Sequence, residues 1–269
     1  MFKVKGDGKV PSGYSKRGFK VYVFLILLAS ISGGINTLLG GAPHFLTAFW
    51  DLSLFVNVML DMMIIFFIYG LIGLFGFKLA GEVGLPGMWR AKYPALEDYI
   101  KPIILGLLAA GGFLLIEIIF ASLHGLGNFP LPEAPFSFFT LVISAVGEEV
   151  LFRLFLIPLI INFMLKLWRK LGGVGFNRRK KLRRKFFWPA AIMAGIFYTL
   201  IHSYDIIYSL EIVEAAQIPL ILWLQIIVMH LLLSLLSAWQ YRKKGFLAAV
   251  VFHGFFGLGW YVIWGNIIL

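Results

Sequence analysis

Glu148-Glu149-Val150-Leu151-Phe152-Arg153 sets two adjacent carboxylates and a guanidinium inside a stretch, residues 136–165, that is otherwise as apolar as lipid. Each such charge at a bilayer centre costs about 2.5 to 3.5 kcal/mol on an insertion scale, so three unpaired charges oppose insertion by roughly 8 to 10 kcal/mol. A segment that carries this penalty across a membrane pairs its charges inside a bundle and usually uses them.

Working outward, 60% of the chain is hydrophobic and 14% charged, with mean hydropathy +0.89, well outside the range of soluble domains. Segments able to cross about 30 Å of hydrocarbon at about 1.5 Å per residue are 21–40, 52–80, 103–122, 136–165, 187–208, 218–239 and 246–268. The expected fold is all-α, a polytopic transmembrane bundle of about seven spans, with an eighth short membrane element near 43–51 left open. The second segment is longer than a span requires and contains Asp61 and several glycines, so a tilt or kink is expected there. Residues 1–20 read as a basic cytoplasmic segment and 21–269 as one transmembrane domain with its chemical core at 136–269.

Lysine and arginine cluster in alternate loops, at 3–20, 78–101, 166–185 and 242–244, while the intervening loops hold Asp51, Glu133, Asp205, Glu211 and Glu214. The positive-inside rule then puts the N-terminus in the cytoplasm and, after an odd number of spans, Leu269 on the opposite side. The expected location is multi-pass in a prokaryotic plasma membrane. The basic run 178–185 and net charge of +11 are juxtamembrane, which favours anionic lipid headgroups at the 166–185 loop over nucleic acid. The chain has no cysteine, which excludes disulfides, thiolate catalysis and cysteine-type zinc sites. The apolar stretch after Lys20 is too long for a typical signal-peptide core and reads as a retained helix.

Glu149 and Arg153 are four residues apart on one helix face, with the acid N-terminal to the base, whereas Glu148 is rotated by about 100° and faces another partner. One carboxylate is thus held while the other stays available; a buried ion pair with a spare neutral Glu is the alternative. Of the five histidines, His44 and His124 sit near loops beside Pro and Gly and read as solvated. His202 lies in the fifth span with Tyr198 one turn earlier, and His253 lies in the seventh. His230 in the sixth is a weaker candidate suited to hydrogen bonding between helices. Imidazoles with carboxylates at membrane depth suggest chemistry at a substrate carbonyl.

A glutamate pair followed by arginine, then an aromatic residue four before a histidine, then a histidine on a later helix, resembles the CAAX prenyl protease and bacteriocin-processing family of intramembrane proteases. The resemblance runs from about Ser144 to Gly257 and rests most on its first motif. It implies Glu148 as general base on water with His202, Glu149, Arg153 and Tyr198 in support, and His253 stabilising the oxyanion of a tetrahedral intermediate. The implied partner is a peptide or lipidated protein substrate within membrane lipid.

Two positions depart from the family pattern. Gly257 stands where Asn or Asp is usual, so the oxyanion donor is backbone or another residue such as Asn266, or the chain is slow or inactive. Leu154 replaces a usual Gly after the arginine, which affects helix packing more than chemistry. No cofactor is firmly implied, and a divalent metal such as zinc stays open, because two histidines and a Glu from three helices neither specify nor exclude it. A substrate cavity is expected between the fourth, fifth and seventh helices. Counted from the cytoplasmic helix ends, His202 lies about 22 Å deep and His253 about 12 Å, an offset that the fold must absorb. Two other readings remain: a proton-coupled carrier whose path is lined by Asp61, Glu117, Glu148, Glu149, His202 and His253, and a non-catalytic scaffold of the protease fold.

Overall fold

In lipid, a run of twenty apolar residues satisfies its backbone only as a helix or in a closed barrel. The computed structural model describes residues 16–41, 52–89, 95–172, 176–210 and 218–268, the side chains of 169, 171, 172, 176–181, 183 and 184 aside. Among these residues the regular structure is all helical. Among the described residues seven helices contain a stretch long and apolar enough to span a membrane: α1 (Lys16–Leu38), α2 (Leu54–Val83), α3 (Glu97–His124), α4 (Phe136–Gly172), α5 (Phe176–Ser209), α6 (Leu220–Lys244) and α7 (Phe246–Ile268). The chain is thus a multi-pass integral membrane bundle. The expected element at 43–51, His44, Glu211, Glu214 and most of the basic segment 1–20 lie outside the described residues.

The stretch of α2 where a tilt or kink is expected holds a local irregularity. Residues Ile65–Tyr69 form a π turn, and wider i→i+5 turns of this kind bend helices. The Tyr22 hydroxyl of α1 donates to the carbonyls of Tyr69 at 2.7 Å and Gly70 at 2.9 Å, where α2 returns to α geometry. α4 widens in the same way over Glu149–Leu156, and α7 does so from Leu258 onward.

Two apolar cores flank the widened part of α4. In the first, Tyr22, Phe77 and Phe246 meet edge to face, the first two with ring centroids 5.1 Å apart. In the second, Phe113 of α3 packs on Phe256 of α7 at 4.9 Å, backed by Leu222 and Ile226 of α6. The widened segment of α4 touches α2, α5, α6 and α7, so its polar side chains are delivered to the middle of the bundle. The outward faces of α3, at Leu108, Leu115 and Ile119 for example, are apolar and exposed, as a lipid-facing helix requires.

Two sequence expectations change here. Helix α4 continues to Gly172 and α5 begins at Phe176, so the cationic residues 178–185 are helical turns and not a loop; lysine and arginine are good helix formers. The depth offset between His202 and His253 arises because α7 starts recessed inside the protein. Phe246 is fully buried, and the first N–H groups of α7 are satisfied by Gly87 and Met88 carbonyls, at 2.9 and 3.0 Å. Gly245 makes this turn with φ +110°, and any Cβ there would lie 2.6 Å from the Trp89 Cα.

Candidate active site

The site is built around the point where α4 passes from α to π geometry. Glu149, the first residue of the widened turn, is wholly buried; its Oε1 lies 2.8 Å from His253 Nδ1 and its Oε2 3.4 Å from Arg153 Nε. Arg153 is equally buried, and its guanidinium sits 5.0 Å from the centre of the Tyr198 ring, where a cation gains from the aromatic face in a dry setting. Tyr198 is itself braced edge-on by Phe152 at 5.1 Å. The buried charges of this stretch therefore meet one another and an aromatic ring rather than lipid.

Glu148 faces the other way. Its side chain is 17% exposed, and its two oxygens address different imidazoles: Oε1 is 3.6 Å from His202 Nε2 and Oε2 is 3.6 Å from His253 Nε2. Both distances exceed a direct hydrogen bond. They suit groups that share a small polar molecule between them. With Nδ1 of His253 donating to Glu149, its Nε2 is the atom presented to Glu148. The three side chains come from α4, α5 and α7, and all meet at one locus.

The surroundings of His202 were only partly legible. Tyr198 stacks one turn away at 4.4 Å, and His230 of α6 lies parallel to His202 with ring centroids 5.0 Å apart. His230 bonds the Ile226 carbonyl of its own helix at 2.9 Å, so it lines this site instead of bridging helices by a hydrogen bond. Asp205 also departs from expectation: α5 runs on to Ser209, and Asp205 Oδ2 lies 3.9 Å from His202 Nδ1 within the helix. Three-residue spacing from His202 was the available signal.

Gly257 and Asn266 resolve in different directions. Asn266 accepts the Ala134 N–H and donates to the Tyr261 carbonyl at 2.7 Å, pinning the end of α7 to the segment before α4. At Gly257 a Cβ would lie 3.2 Å from Leu141 and 3.3 Å from the Tyr261 ring. A larger side chain there must displace one of them. The bulk of Leu154, in turn, is accepted because Gly76 of α2 lets the two backbones approach; a Cβ on Gly76 would lie 2.7 Å from the Leu154 carbonyl oxygen.

Zinc needs three or four donors converging at about 2.0 to 2.3 Å. Among the described residues no group of three His, Asp or Glu side chains is arranged as a ready metal site, and no step is assigned to a metal.

Two further polar features lie elsewhere. A cavity of about 230 Å³ reaches Glu148, bounded by α1, α2 and α4 and not by the expected α4, α5 and α7. Glu117, placed by the carrier reading on a shared path, has its own partners: it accepts the Phe129 N–H and, at 2.5 Å, Gln225 Nε2. Gln225 Oε1 meets His124 Nε2 at 2.8 Å, and His124 Nδ1 accepts the Leu126 N–H at 3.1 Å. His124 is thus a bonded helix-end residue and not a solvated loop histidine.

Fold and centre together define a class: integral membrane helix bundles with glutamate and imidazole gathered at one buried point. Residues 129–259, a stretch that contains Glu148, His202 and His253, match the family model described as Rce1-like, type II CAAX prenyl endopeptidase, the group that the motifs resemble. At family level this supports a CAAX-protease type of enzyme. No curated protein and no solved structure matches the chain.

Proposed function

We propose that the chain is an intramembrane endopeptidase that hydrolyses a peptide bond of a membrane-associated, and in the family's manner prenylated, substrate. The observation that carries this reading is Glu148 set between His202 and His253 at 3.6 Å each. Glu148 takes a proton from water held between itself and His202, and the resulting hydroxide attacks the scissile carbonyl carbon. The oxyanion is met by Nε2–H of His253, whose ring is oriented through Nδ1 by Glu149. Glu148 then passes its proton to the departing amine as the C–N bond breaks. This use of a second carboxylate to orient an imidazole is the logic of the serine protease triad. Arg153, 3.4 Å from Oε2 of Glu149, holds that carboxylate in place.

Tyr261 is proposed as the donor that replaces the usual Asn or Asp at Gly257. Its ring adjoins that position, lying 3.3 Å from where a Cβ on Gly257 would be. Binding of anionic headgroups by the basic turns at 178–185 is proposed on charge alone.

The test is cleavage of a membrane-anchored peptide by purified protein in nanodiscs, comparing native chain with Glu148→Gln and His202→Ala. Loss of turnover in both variants, with native helicity retained, is expected. Cleavage that survives both substitutions overturns the assignment, and a proton-driven flux without cleavage favours the carrier.

A further inference from the structure

Glu148 faces two imidazoles, and the two are oriented by different means. His253 is held through Nδ1 by the wholly buried Glu149 at 2.8 Å. Opposite Nδ1 of His202 stands Asp205, but its Oδ2 is 3.9 Å away on a side chain that is 64% exposed. That separation exceeds a hydrogen bond. An imidazole not bonded at this edge turns about its outer side-chain torsion, which is broad, and such a turn takes Nε2 away from Glu148. The ring of His202 is therefore confined by packing.

Two rings supply that packing. Tyr198 lies 4.4 Å from His202 at an interplanar angle of 59°, and His230 of α6 lies 5.0 Å from it at 23°, an offset stack. Tyr198 and His230 also meet each other at 5.9 Å, which closes a triangle of rings. His230 is itself fixed. Its Nδ1 is 2.9 Å from the Ile226 carbonyl oxygen, and a carbonyl only accepts, so Nδ1 carries the proton and ties the ring back to its own helix. The helices are close at this level because Gly195, about two turns before His202 in α5, leaves room for α6. A Cβ at Gly195 would lie 2.7 Å from Leu231 Cδ1 and 3.2 Å from Ser234 Oγ.

We infer that His230 is a positioning residue for the hydrolysis: anchored to α6 through Nδ1, its ring is the plate that holds His202 with Nε2 toward Glu148. The inference rests on the reading of Glu148 and His202 as the pair that holds the attacking water. Oε1 of Glu148 and Nε2 of His202 are 3.6 Å apart, and a water shared between them is in place only while the imidazole edge stays turned to the carboxylate. A misplacement of about 1 Å in such a centre costs up to about a hundredfold in rate. Because His230 acts through His202 and not on the substrate, its loss falls on kcat and spares KM. The role asks for a flat ring of this size, with the Nδ1 anchor as a refinement. It makes no use of the lone pair on Nε2.

The experiment uses the full chain in nanodiscs and measures kcat, KM and thermal midpoint on a membrane-anchored peptide for His230→Ala, His230→Phe and His230→Gln. His230→Ala should lower kcat per folded molecule about tenfold to a hundredfold with KM within about twofold of native. His230→Phe, which keeps a ring and loses both nitrogens, should recover most of that loss. His230→Gln, which keeps polar atoms and loses the ring, should stay close to the Ala variant. If His230→Ala does not fold, the order of Phe above Gln decides the matter. A native kcat in His230→Ala, or a lowered thermal midpoint with kcat per folded molecule kept, overturns the positioning role while leaving the hydrolase. Recovery by Gln and not by Phe also overturns it, since the polar edge would then be the working part. Native protein that cleaves no peptide removes the hydrolase reading and this role with it.

Discussion

Among the described residues glutamates are buried in two polar groups, and these are finished differently. Glu117 is closed off: both oxygens accept from neutral donors, the Phe129 N–H and Gln225, and the chain of bonds ends at His124. Glu149 is also spoken for, by Arg153 and His253, yet next to it Glu148 stands 3.6 Å from two imidazoles and partly open. A carboxylate whose bonds are all made holds elements together. One kept at a distance from several polar groups, beside a cavity, is arranged to receive something.

That contrast is open to attack at several strengths. Glu148→Gln should lower turnover by about a hundredfold to ten-thousandfold, the range for losing a general base, with the thermal midpoint close to native. His253→Ala should cost about a hundredfold or more in kcat, since it removes the oxyanion donor and leaves Glu149 short of a partner; a matching loss of stability alone, with kcat kept, would put His253 in the structural class. Tyr261→Phe should reduce kcat about tenfold with KM little changed, because a hydroxyl that acts in the transition state does not help ground-state binding. Glu117→Ala should destabilise by about 1 to 3 kcal/mol through the stranded Phe129 and Gln225 donors, while turnover per folded molecule stays within about twofold. The smallest effect belongs to Asn266→Ala, which should release the Ala134 segment and leave turnover essentially native, measured in the same assay.

How much of this was legible in the sequence depends on what each feature required. The seven spans need only length and apolarity, so residues 136–165 or 218–239 announce themselves before any packing is known. The pairing of Glu149 with Arg153 follows from a four-residue spacing that keeps both on one face in either α or π geometry. The convergence of Glu148, His202 and His253 came from the order of motifs, since no local pattern connects three helices. Depth counting misled at His253 because it assumes helices that start at the surface, whereas α7 starts beneath Gly87 and Met88. Asp205 was misplaced because a single acidic residue near a span end looks like a loop. The cavity lay beyond reach, since its width comes from the Gly33 contact of α1 with α2, and helix pairing of that kind is set by the whole bundle.

The central claim, that Glu148 activates water instead of attacking the peptide itself, is tested most directly by a single turnover in H₂¹⁸O followed by mass spectrometry of product and protein. The account predicts one ¹⁸O atom in the new C-terminal carboxyl of the released peptide and none in the side chain of Glu148. Label in Glu148, or a first-turnover product without label, would contradict it.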